Sequence, residues 1–131
     1  MILGTGIDII KISRIDSMIK KWQDSFLNRI FTKEEIAFCM KKRVPSENFA
    51  VRFAAKEAFL KALGLGMRAG IPWNDIEIVN NEIGRPTIEL RRKAKERYQE
   101  NIRNIHLSLS HDGEYGVAQI ILEGSVESSN C

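Results

Sequence analysis

The chain has 131 residues, of which 44% are hydrophobic and 28% are charged, and this length and composition suit one folded domain. No apolar run approaches the roughly 20 residues that a membrane-spanning helix needs, and segment 1–6 lacks the basic start of a signal peptide, so we expect a cytoplasmic protein. Two cysteines are too few for a disulfide framework, and the net charge of +3 favours an anionic partner without selecting its class.

The first predicted element is a buried strand over residues 2–10, which is rich in β-branched residues. On a strand, Gly4, Gly6 and Asp8 share one face. The two glycines leave room above that face for a ligand or for another backbone. An acidic side chain in an apolar strand is costly to bury, so Asp8 either pairs with a nearby Lys or Arg or binds a cation.

Two helices are predicted next. Ser13 is the expected N-cap of the first, which extends to about Trp22. Segment 32–35 (TKEE) has the form of a capping box and starts the second, which ends near the basic triplet 41–43 (KKR). The triplet suits the C-terminal end of a helix dipole, with anion binding as the alternative interpretation.

A central helix is predicted over residues 51–63, with Ser46 as a possible cap before it and Gly64 as its C-terminal stop. Its alanines are small enough to let another backbone approach closely. Glu57 and Lys61 are four residues apart and lie on one face. They form either a solvated surface ion pair or a metal ligand next to a phosphate contact.

The rest of the chain predicts a hairpin, a charged helix and a final pair of strands. The ranges are 76–79 and 87–90 for the hairpin, 91–103 for the helix, and 105–110 and 115–122 for the strands. A glycine-bearing loop starts at Leu65, His111 is placed just past a strand end, and Asp112-Gly113 signals a turn. The element order predicts an α+β domain with a mostly antiparallel sheet, and residues 123–131 are expected to form a disordered tail.

Four segments together resemble one enzyme family. Segment 4–9 (GTGIDI) is similar to the N-terminal motif of the holo-acyl-carrier-protein synthases, within the 4′-phosphopantetheinyl transferase superfamily. Segment 52–62 (RFAAKEAFLKA) resembles the central helix motif of that family almost residue for residue, and segments 84–86 (GRP) and 108–111 (SLSH) are similar to its later motifs. The resemblance covers residues 1–122 and implies the transferase fold as a single domain, with the long central helix packed against the sheet.

The resemblance implies transfer of the 4′-phosphopantetheine group from coenzyme A to a serine of apo-acyl carrier protein, in support of fatty acid biosynthesis. The second product is adenosine 3′,5′-bisphosphate. It implies Mg²⁺ as cofactor, with Asp8 and Glu57 as metal ligands and with Lys61 as the third catalytic residue. It also implies a homotrimer with one site at each subunit interface, and neither nucleic acid nor membrane is expected as a partner.

The same resemblance implies two further groups of residues. The residues expected to bind the nucleotide are Arg52, Lys61, Gly64, Arg85, Pro86, Ser108, Ser110 and His111. The residues expected to dock the acidic helix of a carrier protein are Arg14, Met18, Lys21 and Trp22. The general base stays open among a metal-bound water, Glu57 and Glu35 acting through a water, and Lys56 stays open between a ligand contact and a structural role.

Two alternative functions remain from the sequence. The basic triplet and the charged helix would suit a small nucleic-acid-binding module, although that helix also contains Glu96 and Glu100. A non-catalytic protein that binds coenzyme A would show the same motifs, and only turnover distinguishes it from an enzyme.

Overall fold

The structure is a computed structural model that describes residues 1–64 and 70–125. The elements in chain order are β1 (Ile2–Lys11), α1 (Ile12–Ile30), α2 (Lys33–Met40), α3 (Pro45–Ala62), β2 (Ile76–Asn80), β3 (Pro86–Leu90), α4 (Arg92–Tyr98), β4 (Asn104–Asp112) and β5 (Tyr115–Glu123). This is the predicted order. Residues 65–69 of the predicted glycine-bearing loop and residues 126–131 of the predicted tail lie outside the described residues.

The strands form two antiparallel sheets. Strand β5 lies between β1 and β4 in a three-stranded sheet, and β2 pairs with β3 in a separate two-stranded sheet. In the larger sheet, Gly6 lies opposite Ile120 and Ser108 lies opposite Gln119. The predicted α+β class with antiparallel strands is therefore confirmed, although the strands divide between two sheets.

Helix α3 packs against the inner face of the three-stranded sheet at the two glycines of β1. A Cβ added to Gly4 would overlap the carbonyl oxygen of Ala62, and one added to Gly6 would overlap that of Ala58. Ala58 is fully buried, and no larger side chain separates the helix backbone from the strand here. The room above the glycines is therefore filled by another backbone, which is one of the two predicted alternatives.

Gly6→Ala is expected to lower the free energy of unfolding by about 1–3 kcal/mol or more, because the new Cβ meets rigid backbone atoms of α3. Gly116→Ala is the matched control, since its Cβ would meet the Cγ1 atom of Val51 at 2.9 Å, and a side chain can move. Urea unfolding of both variants measures the difference. An equal loss in the free energy of unfolding for Gly6→Ala and Gly116→Ala would contradict the close contact between Gly6 and the backbone of α3.

A fully buried ion pair joins α2 to α3. The Nζ of Lys56 donates to Glu35 Oε1 at 2.7 Å, to the carbonyl of Ile30 at 2.9 Å and to that of Trp73 at 3.3 Å. The Glu35 carboxylate also accepts from the backbone N–H groups of Thr32 and Ile78, each at 2.8 Å. Lys56 therefore makes structural contacts, and the carboxylate of Glu35, one of the open candidates for the general base, is enclosed and already paired.

The capping box at Thr32 is confirmed, but the two other predicted caps are wrong. Helix α1 already begins at Ile12 with Lys11 at its N-cap, and it continues to Ile30 through the non-helical residue Gln23 (φ 49°). Helix α3 begins at Pro45 rather than after Ser46, because proline is well suited to the first turn, where its missing N–H group is not needed.

Three predicted element boundaries near the C-terminus are also wrong. His111 lies inside β4, which continues to Asp112 and pairs His111 with Gly116. The charged helix is only seven residues long, and at its start Arg91 pairs with Glu77 and Arg92 pairs with Asp75. Strand β5 extends to Glu123, one residue beyond the predicted strand 115–122.

Candidate functional site

The two predicted metal-binding carboxylates line one cleft. This acidic cleft, of about 310 Å³, lies between β1, α1 and α3 and is lined by Asp8, Glu57, Arg14, Met18 and Phe53 together with apolar neighbours. Asp8 reaches it from the face of β1 that also bears Gly4 and Gly6, and Glu57 reaches it from the side of α3. Residues 49 positions apart in sequence therefore meet at one place.

The charges in the acidic cleft favour a bound cation. Partial burial, and next the negative charge of Asp8, raise the pKa of Glu57, while Lys61 and Arg14 oppose the rise. A cation between the two carboxylates would relieve that repulsion. Among the described residues, no group of three or more His, Cys, Asp or Glu is placed to hold a metal ion. A divalent ion such as Mg²⁺ bound by Asp8 and Glu57 would need water or phosphate oxygens as its other ligands.

Lys61 pairs with Asp8. Its Nζ donates to Asp8 Oδ1 at 2.9 Å and to the carbonyl of Ile7 at 3.0 Å. The Lys61 side chain is 49% exposed and the Asp8 side chain 12% exposed, so the ammonium group stands at the solvent side of the carboxylate. A surface ion pair between Glu57 and Lys61 was one of the two predicted alternatives. In this structure the ion-pair partner of Lys61 is Asp8 instead.

Four of the predicted nucleotide-binding residues line a second cleft. This Arg52 cleft, of about 260 Å³, is lined by Arg52, Pro86, Ser110 and His111, together with residues that include Phe38, Lys42 and Asn80. Acidic side chains are absent from its described lining. Its character is therefore cationic, which suits a phosphate group.

Arg52 is the most enclosed group of that cleft. It is only 4% exposed, its Nε has no hydrogen-bond partner among residues 1–64 and 70–125, and its Nη2 donates to Asn80 Oδ1 at 3.3 Å. Burial lowers the pKa of the guanidinium. A buried cationic group with an unused donor is stabilised by an anionic ligand.

The other predicted nucleotide-binding residues lie around this cleft. Arg85 and Ser108 line a groove of about 650 Å³ between β3 and β4, which also includes Pro86. Gly64 follows the end of α3 with φ of 79°, and its N–H donates to the carbonyl of Lys61 at 2.9 Å, which confirms the predicted stop. Gly64 is not among the described residues that line the three spaces.

The acidic cleft and the Arg52 cleft share none of their described lining residues. Arg52 and Glu57 both lie on α3, but a spacing of five residues rotates their side chains by about 140° around the helix axis. They therefore open to different sides of α3. One chain presents the two carboxylates at one surface and the predicted nucleotide-binding residues of the Arg52 cleft at another.

The predicted docking residues form one exposed face of α1. Arg14 and Met18 border the acidic cleft, and the Lys21 Nζ lies 5.1 Å from the ring centroid of Trp22. Positions 14, 18, 21 and 22 follow helical spacing and precede the interruption at Gln23. The structure thus brings this face next to the carboxylates.

Six members of the Arg52 cleft were not predicted as site residues, namely Phe38, Lys42, Asn48, Val51, Asn80 and Leu109. Lys42 belongs to the basic triplet whose anion-binding interpretation was only the alternative, so the sequence contained a signal for it. Phe38 and Asn80 show no such signal, because an aromatic residue on a helix and an asparagine in a turn are common without a ligand. Among the described helices, none is long and apolar enough to cross a membrane.

Comparisons with known proteins show the family of this chain. A family model described as the 4′-phosphopantetheinyl transferase superfamily matches residues 4–120. A holo-(acyl-carrier-protein) synthase of Geobacter sp. (strain M21) is 46% identical over 124 residues, which cover 94% of this chain and 99% of the relative.

Two solved structures are similar over nearly the whole chain. The synthase of Neisseria meningitidis has a TM-score of 0.84 and 34% identity, over 94% of this chain and 99% of that chain. The synthase of Bacillus anthracis, solved in complex with CoA (3′,5′-ADP), has a TM-score of 0.78 and 39% identity, over 95% and 99% of the two chains. The chain therefore belongs to the holo-(acyl-carrier-protein) synthases of the 4′-phosphopantetheinyl transferase superfamily.

Proposed function

We propose that this protein transfers the 4′-phosphopantetheine group from coenzyme A to a serine hydroxyl of apo-acyl carrier protein. The products are holo-acyl carrier protein and adenosine 3′,5′-bisphosphate, in support of fatty acid biosynthesis, and the proposed location is the cytoplasm. The meeting of Asp8 and Glu57 in one cleft beside Lys61 is the observation that carries this proposal.

The geometry suggests a division of roles. Asp8 and Glu57 would hold Mg²⁺. The ion would neutralise the negative charge that develops on the pyrophosphate of coenzyme A as the pyrophosphate bond breaks. Lys61 adds a second positive charge at the same edge of the cleft. Arg52 and His111 bind phosphate of the nucleotide, with Arg85, Pro86, Ser108, Ser110 and Gly64 around it. The attacking serine belongs to the carrier protein.

The carrier protein is proposed to dock on the exposed face of α1. Arg14 and Lys21 supply positive charge, and Met18 and Trp22 supply apolar contact area for an acidic amphipathic helix. Because Arg14 and Met18 also border the acidic cleft, a helix bound there presents its serine close to Asp8 and Glu57. Docking and chemistry are therefore adjacent on the surface of this chain.

We propose that the protein acts as a homotrimer with each active site at a subunit interface. The outer face of the three-stranded sheet presents Ile7 and Ile9, which are 61% and 66% exposed, and so offers apolar area for a second copy. Arg52 and Glu57 open to different sides of α3, so the Arg52 cleft of one copy can complete the acidic cleft of its neighbour.

Mixing two inactive variants tests this assembly. Arg52→Ala and Glu57→Gln subunits, unfolded together and refolded as mixed trimers, are expected to recover about a quarter of the wild-type sites, since a site needs one intact residue from each neighbour. Sedimentation equilibrium of the wild type should give three times the chain mass. A monomeric wild type, or mixed trimers without recovered activity, would contradict the interfacial site.

Lys61→Met is expected to tighten Mn²⁺ binding about fivefold, because the ammonium group that competes for the Asp8 carboxylate is removed, a contribution of about 1 kcal/mol. Transfer activity should fall in the same variant. Electron paramagnetic resonance titration of free Mn²⁺ measures the affinity. Lys20→Met is the control, since it breaks the exposed pair of Lys20 with Asp16 and changes the net charge equally. Unchanged or weaker Mn²⁺ binding in Lys61→Met would refute the competition.

The experiment that tests the function is a mass-shift assay. Apo-acyl carrier protein, coenzyme A and Mg²⁺ are incubated with the protein, and the carrier should gain the mass of one phosphopantetheine arm. A carrier protein whose serine is changed to alanine is the control for the site of attachment. Absence of the mass shift would refute the transferase. A shift that persists in full with a chelator would refute the metal requirement alone.

A further inference from the structure

Phe38 contacts two cationic groups of the Arg52 cleft at once. The Cζ atom of Arg52 lies 4.3 Å from the ring centroid, and the Nζ atom of Lys42 lies 4.4 Å from it. Phe38 belongs to α2, Lys42 follows the end of that helix, and Arg52 comes from α3. One aromatic ring at the wall of the cleft therefore contacts a cation of α3 and a cation of the segment that follows α2.

The ring orients these cations without neutralising them. A carboxylate in the same place would occupy the N–H donors and cancel the charge, whereas the face of an aromatic ring attracts a cation and leaves its donors free. This fits the state of Arg52 within the described part of the chain, where its buried Nε has no partner and its Nη2 donates to the amide oxygen of Asn80. Acidic residues are also missing from the described lining of this cleft.

We propose that Phe38 is a positioning residue that holds Arg52 and Lys42 as one preformed phosphate-binding group for the donor nucleotide. Lys42 then contacts the phosphate together with Arg52, although the four motifs do not include it. This inference rests on the proposed function, since it takes the donor to be a phosphorylated nucleotide. It adds Phe38 and Lys42 to the residues that determine donor affinity.

Isothermal titration with adenosine 3′,5′-bisphosphate tests the proposal apart from turnover. Phe38→Leu and Lys42→Met are each expected to weaken binding about fivefold, while Phe38→Tyr, which keeps the ring, should stay within about twofold of the wild type. The double variant of Phe38→Leu and Lys42→Met should lose less than the product of the single losses, because both changes remove one shared contact. The affinity for Mn²⁺ at the acidic cleft is the control, because general unfolding would lower it as well. It should be the same in these variants as in the wild type.

Several results would overturn the proposal. The first is a wild-type affinity of Phe38→Leu for adenosine 3′,5′-bisphosphate. The second is an equal loss of this affinity in Phe38→Leu and Phe38→Tyr. The third is a loss of Mn²⁺ binding that accompanies the loss of nucleotide binding. The test of Phe38 and the test of the transferase function can fail independently. Transfer to the carrier with unaltered nucleotide binding in Phe38→Leu would refute the role of Phe38 alone. Ring-dependent nucleotide binding without any transfer would refute the transferase and leave the role of Phe38 supported.

Discussion

Glu57→Gln is expected to lower kcat/KM for transfer by about 100-fold or more, because a neutral amide is a poor metal ligand and the charge stabilisation that Mg²⁺ supplies to the pyrophosphate is lost. Mn²⁺ affinity should fall in parallel, and Asp8→Asn should behave in the same way. Initial rates of the carrier mass shift and Mn²⁺ titration measure the two effects. The control is Glu96→Gln on the exposed surface of α4, which should leave both unchanged.

The same substitution is expected to stabilise the metal-free protein at neutral pH. The pKa of Glu57 is raised above its ordinary value of 4.5, first by burial and next by Asp8, so the folded state binds the proton more tightly than the unfolded state. The free energy of unfolding therefore falls as pH rises from the ordinary pKa through the folded pKa. Glutamine has no such penalty. Thermal unfolding at pH 4 and pH 7.5 should show a gain for the variant that is larger at pH 7.5.

A gain in stability combined with a loss of activity separates a functional carboxylate from a structural one. If Glu57→Gln were active, the assignment of Glu57 as a metal ligand would be wrong. If the variant were less stable than the wild type at pH 7.5, the carboxylate would instead be stabilised by a partner in the folded chain, and the argument for a cation between Asp8 and Glu57 would fail.

Lys56→Met is expected to lower the free energy of unfolding by about 3–5 kcal/mol, because it leaves the fully buried charge of Glu35 without its ion-pair partner. The carbonyl groups of Ile30 and Trp73 would lose their donor as well. Urea unfolding measures the loss. Lys20→Met is the matched control, since its pair with Asp16 is exposed and such pairs contribute at most about 1 kcal/mol.

A second variant keeps this prediction distinct from a loss of packing. Adding Glu35→Gln to Lys56→Met removes the buried charge, so the double variant should be more stable than Lys56→Met alone. An equal or greater loss would show that the pair acts through shape rather than charge. Because the polar contacts of Lys56 are with Glu35, Ile30 and Trp73, the folded fraction should keep its Mn²⁺ affinity.

Structural features that depend on residues close together in the chain were predictable from the sequence. The capping box at Thr32 and the stop at Gly64 involve residues within one turn of each other, so their chemistry is readable directly. The alternation of buried and exposed residues in β4 follows from the twofold period of a strand. The wrong caps at Ser13 and Ser46 show the limit of this approach, because a neighbouring residue such as Pro45 can start the helix first.

The sequence by itself determined the order of the elements, the α+β class and, through its four motifs, the family. It also singled out Asp8 and Glu57, because an isolated acid in an apolar segment needs a compensating charge. Only the tertiary structure decided which charges are partners. It pairs Lys61 with Asp8 across 53 positions, encloses Lys56 with Glu35, and places Arg52 against Phe38. Helical spacing reports only neighbours on the same helix, whereas these pairs depend on how α2, α3 and β1 pack together.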